Sequence, residues 1–316
     1  MKKKYSFYLL LFAILIANFS AIAQDKKTVA ELLGYSKNTK LLIIHADDMG
    51  VTHSENSATI SAYEKGAISS GSIMVPCPWF PEIAAYARKH PEFDLGLHIT
   101  LTSEWKYYQW DGVLPSDKIP SLINDSGYFY GDEEAVSAMV KHANLKEVEK
   151  EMRAQIDRAI AFGIKPTHLD SHMGGPTATS ELFGIMLKLG KEYKIPVSTF
   201  LSLFDDAMYA KQLPPDYISV DSVYTLYQNT KDADWNEAYN KMIKSIKPGL
   251  NELVIHLAYD NEEMHAVTVD RDHWWDAAWR QRDYNYITSE KFKNLLRENN
   301  IQLVTWRQVQ KVMYPE

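Results

Sequence analysis

Three short segments carry acids or histidines at the carboxyl end of an apolar run. They are Ile43-Ile44-His45-Ala46-Asp47-Asp48-Met49-Gly50, Gly96-Leu97-His98-Ile99-Thr100 and Thr167-His168-Leu169-Asp170-Ser171-His172. Val254-Ile255-His256-Leu257-Ala258 is a looser fourth. Two adjacent carboxylates at the end of a buried strand repel one another, and burial raises both pKa values unless a cation compensates. One carboxylate and two imidazoles around a divalent ion make a facial site with open positions, a donor set typical of catalytic zinc and related ions. Such an ion acidifies water, and the second acid, kept off it, can then serve as general base.

Each residue also has a plainer reading. Asp47-Asp48 before Met49-Gly50 suits a turn or a helix cap, and a lone histidine in a strand is usually packed or hydrogen-bonded. The strand-like pattern after Lys165-Pro166 argues against a helix that would put His168 and His172 on one face. His172 is therefore favoured as the ligand and His168 as a structural or supporting group, with Asp170 available to orient a ligand imidazole. Chemistry alone does not choose between Asp47 and Asp48.

The elements that must position these groups alternate. Apolar runs at 41–44, 68–75, 94–101, 167–169, 197–200, 218–220, 253–257 and 301–305 read as strands. Helical patterns fall at 54–65, 81–90, 145–162, 181–193, 235–246 and 289–298. The clearest is 145–162, where Leu145, Val148, Met152, Ile156, Ala159 and Ile160 keep three-to-four spacing. Asn144 and Glu147 predict a capping box there, and Gly163 predicts its stop. This alternation predicts a parallel sheet with crossover helices. Seven or eight strands suffice for a closed or nearly closed (β/α) barrel, with a doubly wound open sheet as the alternative. In both, sites gather at the carboxyl ends of the strands.

The amino terminus reads as an export signal. Lys2, Lys3 and Lys4 precede an apolar run from Tyr8 to Ala17, and Ala21-Ile22-Ala23 has the small-x-small pattern of a cleavage site. The run is shorter than the ~20 residues of a spanning helix, so no stable membrane anchor is expected. Cleavage leaves a single domain, 24–316, with a periplasmic destination. It removes three of 34 basic residues and none of 41 acidic ones, for a mature net charge of −10. So acidic a chain has no general attraction for nucleic acid or anionic lipid. Cys77, the only cysteine, lies between Pro76 and Pro78 and is expected to be buried. Nothing in the sequence selects between a monomer and a homodimer.

Together, His45 to Gly50, Gly71 to Val75, Gly96 to Thr102 and Lys165 to His172 resemble the signature blocks of the ChbG/YdjC-like carbohydrate deacetylases, in order and at compatible spacing. The resemblance is dense over 40–175 and thinner beyond, where Glu252 to Tyr259 resembles a late histidine strand. It implies an α/β fold, a distorted (β/α) barrel of seven or eight mostly parallel strands related to polysaccharide deacetylases. It also implies removal of an acetyl group from an N-acetylated mono- or oligosaccharide. Carried over by position, Asp48, His98 and His172 would bind one divalent ion, zinc or magnesium. Asp47 would be the general base, and His256 the acid that protonates the leaving amine. Met173-Gly174-Gly175-Pro176 departs from the family's third block, which often continues with histidines.

The segment 103–130 is long for a connection and rich in aromatic residues, including Trp105 and Trp110. A sugar-stacking wall built from these two tryptophans and a self-packed Ω-loop are equal expectations. Around 273–282, a helix packing on the barrel is favoured over a second wall. Two other functions stay in view: a non-catalytic glycan-binding protein with a structural metal, and a metal-dependent hydrolase of another bond such as a phosphoester.

Overall fold

A computed structural model describes residues 27–131, 134–199, 210–271 and 273–315. The expected export signal lies outside them. Seven strands form one sheet: β1 (Lys40–Met49), β2 (Ser70–Ile73), β3 (Leu95–Ile99), β4 (Leu169–Ser171), β5 (Ser222–Tyr224), β6 (Gly249–Ile255) and β7 (Ile301–Leu303). Their order is β4-β3-β2-β1-β6-β5, with β7 also on β1, and every pairing is parallel. The sheet curls into an incomplete (β/α) barrel with β4 and β5 at its two edges.

The amino-terminal part of β1 shows why its run is apolar throughout. Leu42, Ile44 and Ala46 face the helices and join the large core, whereas Leu41 and Ile43 join a second cluster with Val304 and Trp306. Strands covered on both faces need apolar residues at both parities. Further along, the parity that carries Leu41 and Ile43 reaches His45 and Asp47, so the chemistry continues an interior row.

Helices over His53–Glu64, Phe80–Lys89, Leu145–Ala161, Ser180–Tyr193, Trp235–Ser245 and Glu290–Glu298 match the periodic segments. Gly163, at φ 88°, follows the Leu145–Ala161 helix. The expected capping box does not form. Asn144 accepts from the Lys146 amide, and Glu147 instead accepts from the Ser121 amide at 2.8 Å, tying the preceding loop to the helix.

Two expected strands differ. At 197–200 the described residues contribute only an isolated bridge between Val197 and Leu169, and Phe200 lies outside the described residues. At 218–220, Ile218 and Val220 are buried, but pairing with β6 begins one residue later, where the Asp221 amide donates to the Leu250 carbonyl at 2.7 Å. Burial and ladder pairing both favour apolar residues, so the pattern located the burial and missed the register.

Candidate functional site

Neighbouring residues on a regular strand point to opposite faces, so Asp47 and Asp48 should not share a cavity. The β1–β2 register shifts between Ala46 and Met49, and Asp48 has φ 66°. This bulge with a left-handed residue turns both carboxylates into one cavity of about 310 Å³. Backbone strain of this kind is held in place only by its surroundings. Here the Gly50 amide donates to Asn56 Oδ1 at 2.7 Å, and Gly50 has φ 96° with no room for a side chain beside the Met74 carbonyl.

The other groups arrive from neighbouring strand ends. His98 on β3 is in register with Asp170 on β4, and its Nδ1 donates to Asp170 Oδ1 at 2.9 Å. His172 follows β4 in a turn where Met173 and Gly174 have φ 51° and 70°. Its Nε2 donates to Glu104 Oε2 at 2.9 Å. The far nitrogens, His98 Nε2 and His172 Nδ1, lie 3.6 and 3.7 Å from Asp48 Oδ1. That oxygen is buried and has no hydrogen-bond partner.

The three donor atoms lie within 4.8 Å of one another. Each imidazole is oriented by a carboxylate behind it, as metal-ligating histidines usually are. An orphaned buried carboxylate oxygen facing two such imidazoles fits a divalent cation. Two other groupings, His45/His168/Asp170 and Asp47/His98/Asp170, are equally compact. Both use Asp170, which already accepts from His98, so they fit less well.

Asp47 stands beside this set, its Oδ2 3.8 Å from His98 Nε2 and 3.9 Å from His256 Nε2. Burial raises its carboxyl to about 7, outweighing the lowering by His98 and His45. Burial acts on Asp48 too, but there Arg280, His256 and His172 hold the carboxyl below the usual range. The paired acids are thus driven apart, one poised near neutrality and one ionised. Burial holds His256 neutral, down to about 3.

His45 also lines the cavity: its Nδ1 meets Glu252 Oε1 at 2.7 Å, and its Nε2 lies 3.2 Å from Asp170 Oδ2. Burial depresses this imidazole, but Asp47, Glu252 and Asp170 raise it to about 9. His168 is deeper still, edge-on to His45 and stacked on Trp306. His168 precedes β4 and His172 follows it, and of the two only His172 lines the cavity.

The two tryptophans expected to stack on sugar do not reach the cavity. Trp105 and Trp110 are each 3% exposed. Trp110 Nε1 donates to the Thr102 carbonyl, and Trp105 lies under the guanidinium groups of Arg271 and Arg280. The loop packs on itself: Ile119, Leu122 and Phe129 are buried with the tryptophans, and Glu151 accepts the Val113 and Leu114 amides. Trp275 lines the cavity instead, stacked on Trp274 at 4.2 Å. It precedes a helix over Ala277–Ile287. That helix supplies Arg280, which lines the cavity although it lies more than 100 residues beyond the three main segments. No local sequence pattern marks Arg280 or Glu104 as a site residue. His45 carried a signal, since a buried histidine two residues before a carboxylate shares its strand face.

The curated proteins this chain resembles include "Carbohydrate deacetylase" from Brevibacillus brevis, 27% identical over 280 residues, covering 85% of this chain and 99% of that protein. The Thermus thermophilus protein of the same name is 28% identical over 286 residues, covering 87% and 96%. A crystallised Enterococcus faecalis V583 protein, assigned provisionally to cellobiose-phosphate cleavage, superposes with a TM-score of 0.71 at 27% identity, covering 86% of this chain and 99% of its own. The family model described as YdjC-like protein matches residues 41–298, from β1 to the end of the helix before β7, and the chain belongs to that family.

Proposed function

We propose that this protein hydrolyses the acetamide of an N-acetylated sugar or oligosaccharide, with a divalent cation, zinc or magnesium, held by Asp48, His98 and His172. The observation that carries the proposal is the buried, unpartnered Asp48 Oδ1 facing two imidazoles whose other nitrogens are engaged by carboxylates. The shared name of the curated relatives, which align over nearly their whole length, supports a carbohydrate deacetylase. Bound there, a cation would polarise the acetamide carbonyl and acidify water.

The protein's own groups supply the proton transfers. Asp47, poised near 7, takes the proton of the attacking water. The C–N bond then breaks, and the leaving nitrogen needs a proton to depart as an amine. His256 is neutral at rest, so it can deliver that proton only after receiving one from Asp47, 3.9 Å away. Trp275 offers a flat apolar surface to a sugar ring. Asp170 and Glu104 hold the two ligand imidazoles in orientation.

Acetate release from a panel of N-acetylated mono- and oligosaccharides, with and without chelator, tests this. Release should be abolished by chelation and restored by zinc or magnesium. Asp47→Asn should keep the metal and lose about 10²–10⁴-fold in kcat. No release from any glycan, in protein carrying stoichiometric metal, would instead favour a glycan-binding role. We also propose export of residues 24–316, supported by the basic, apolar and small-residue order of residues 2–23. A mature protein beginning at Gln24 is expected, and one that retains Met1 refutes it.

A further inference from the structure

We infer that Arg280 confines Asp48 to single-oxygen ligation of the cation, an inference that rests on the ligand set of the proposed function. Arg280 is 1% exposed and is held on several sides. Its Nη2 donates to Asp48 Oδ2 at 3.0 Å, its Nη1 to Glu55 Oε1 at 2.7 Å, and its Nε to the Trp275 carbonyl at 3.1 Å. The Trp105 ring lies against the guanidinium, its centroid 5.7 Å from Cζ. A planar donor fixed by three acceptors cannot turn away from Asp48 without leaving a buried charge unpaired.

A free carboxylate can give a divalent ion one oxygen or two. Here Oδ2 is committed to Arg280, and only Oδ1 faces His98 and His172. The proposed ligand set then supplies three donor atoms, with Asp48 giving one of them, which leaves the remaining positions for water and the substrate carbonyl. The guanidinium also sets a positive charge against the carboxylate that the cation shares, and this weakens the cation's hold.

Removing the guanidinium therefore has two effects of one sign: it frees a second oxygen and lifts a repulsion. In the variant Thr52 Oγ1 still donates to Glu55, and the bound cation pairs the Asp48 charge that Arg280 leaves behind.

The test loads wild type, Arg280→Lys and Arg280→Met with zinc and with cobalt(II). X-ray absorption and cobalt visible spectra read the coordination number, and chelator competition reads Kd. The wild type should bind through two nitrogens and one carboxylate oxygen. Arg280→Met should gain an oxygen, show weaker cobalt bands, and bind zinc about tenfold tighter or more. Arg280→Lys, which keeps a cation beside Oδ2, should resemble the wild type. Two carboxylate oxygens in the wild type, or an Arg280→Met that binds zinc no tighter, would overturn the inference while leaving the metal site standing. Wild-type protein that takes up no metal would overturn the proposed ligand set as well.

Discussion

Replacing Asp170 with asparagine should weaken zinc binding although Asp170 is not proposed to touch the metal. Asp170 Oδ1 accepts from His98 Nδ1 at 2.9 Å, and the amide oxygen of asparagine can still do so. What is lost is the charge, and charge-assisted bonds are about twice as strong as neutral ones. Loss of such an outer partner typically reduces metal affinity about 10–100-fold, or ~1.4–2.7 kcal/mol. A proton competes with the metal for the same imidazole. Burial lowers the His98 pKa, but Asp170, then Asp47, outweigh it and raise it to about 10. Below that value wild-type His98 must release its proton as zinc binds, so apparent affinity climbs with pH up to about 10. In the variant the proton is held less tightly and the climb ends sooner. The deficit should therefore be small near neutrality and grow toward the full factor as pH rises to about 10. Chelator-buffered zinc titrations at pH 7 and 9 measure that growth. A deficit that stays level or shrinks as pH rises would refute the orienting role of Asp170.

Trp275→Ala should raise KM for an active glycan about 2–10-fold with little change in kcat. Trp105→Ala should instead destabilise the fold by about 3–5 kcal/mol, because that ring is buried. Steady-state kinetics and melting curves on both variants compare these outcomes, and the reverse pattern would contradict the burial assigned to the two rings. Burial raises Asp283 to about 7 despite a 2.6 Å hydrogen bond from Tyr239. The folded protein then holds this proton more tightly than the unfolded chain does. Its stabilisation is complete below about pH 4 and lost as pH rises through 7. Asp283→Asn should melt above wild type at pH 8 and level with it at pH 4; a larger gain at pH 4 would reverse the sign. A Cβ on Gly96 would lie 2.3 Å from the His168 ring. Gly96→Ala should cost about 1–3 kcal/mol by denaturant unfolding, yet add little in a His168→Ala background, and equal costs in both would exclude the clash.

What could be read from the chain was what neighbours along it decide. The apolar runs of β1, β3 and β6 announced buried strands, and the 3.6-residue spacing of 145–162 announced its helix. Histidines and aspartates stood at the ends of those strands, where a parallel barrel gathers its polar groups. Tertiary structure decided the rest. Regular strand geometry sends Asp47 and Asp48 to opposite faces, and only the bulge against β2 with a left-handed Asp48 brings them together. Aromatic residues serve cores and sugar surfaces equally well, so composition could not say that Trp105 and Trp110 turn inward while Trp275 lines the cavity. Glu104 and Arg280 matter through partners 68 and 232 residues away, His172 and Asp48. Periodicity within a segment follows from its own backbone geometry, but the choice of a distant partner is made only when the sheet curls and its strand ends converge.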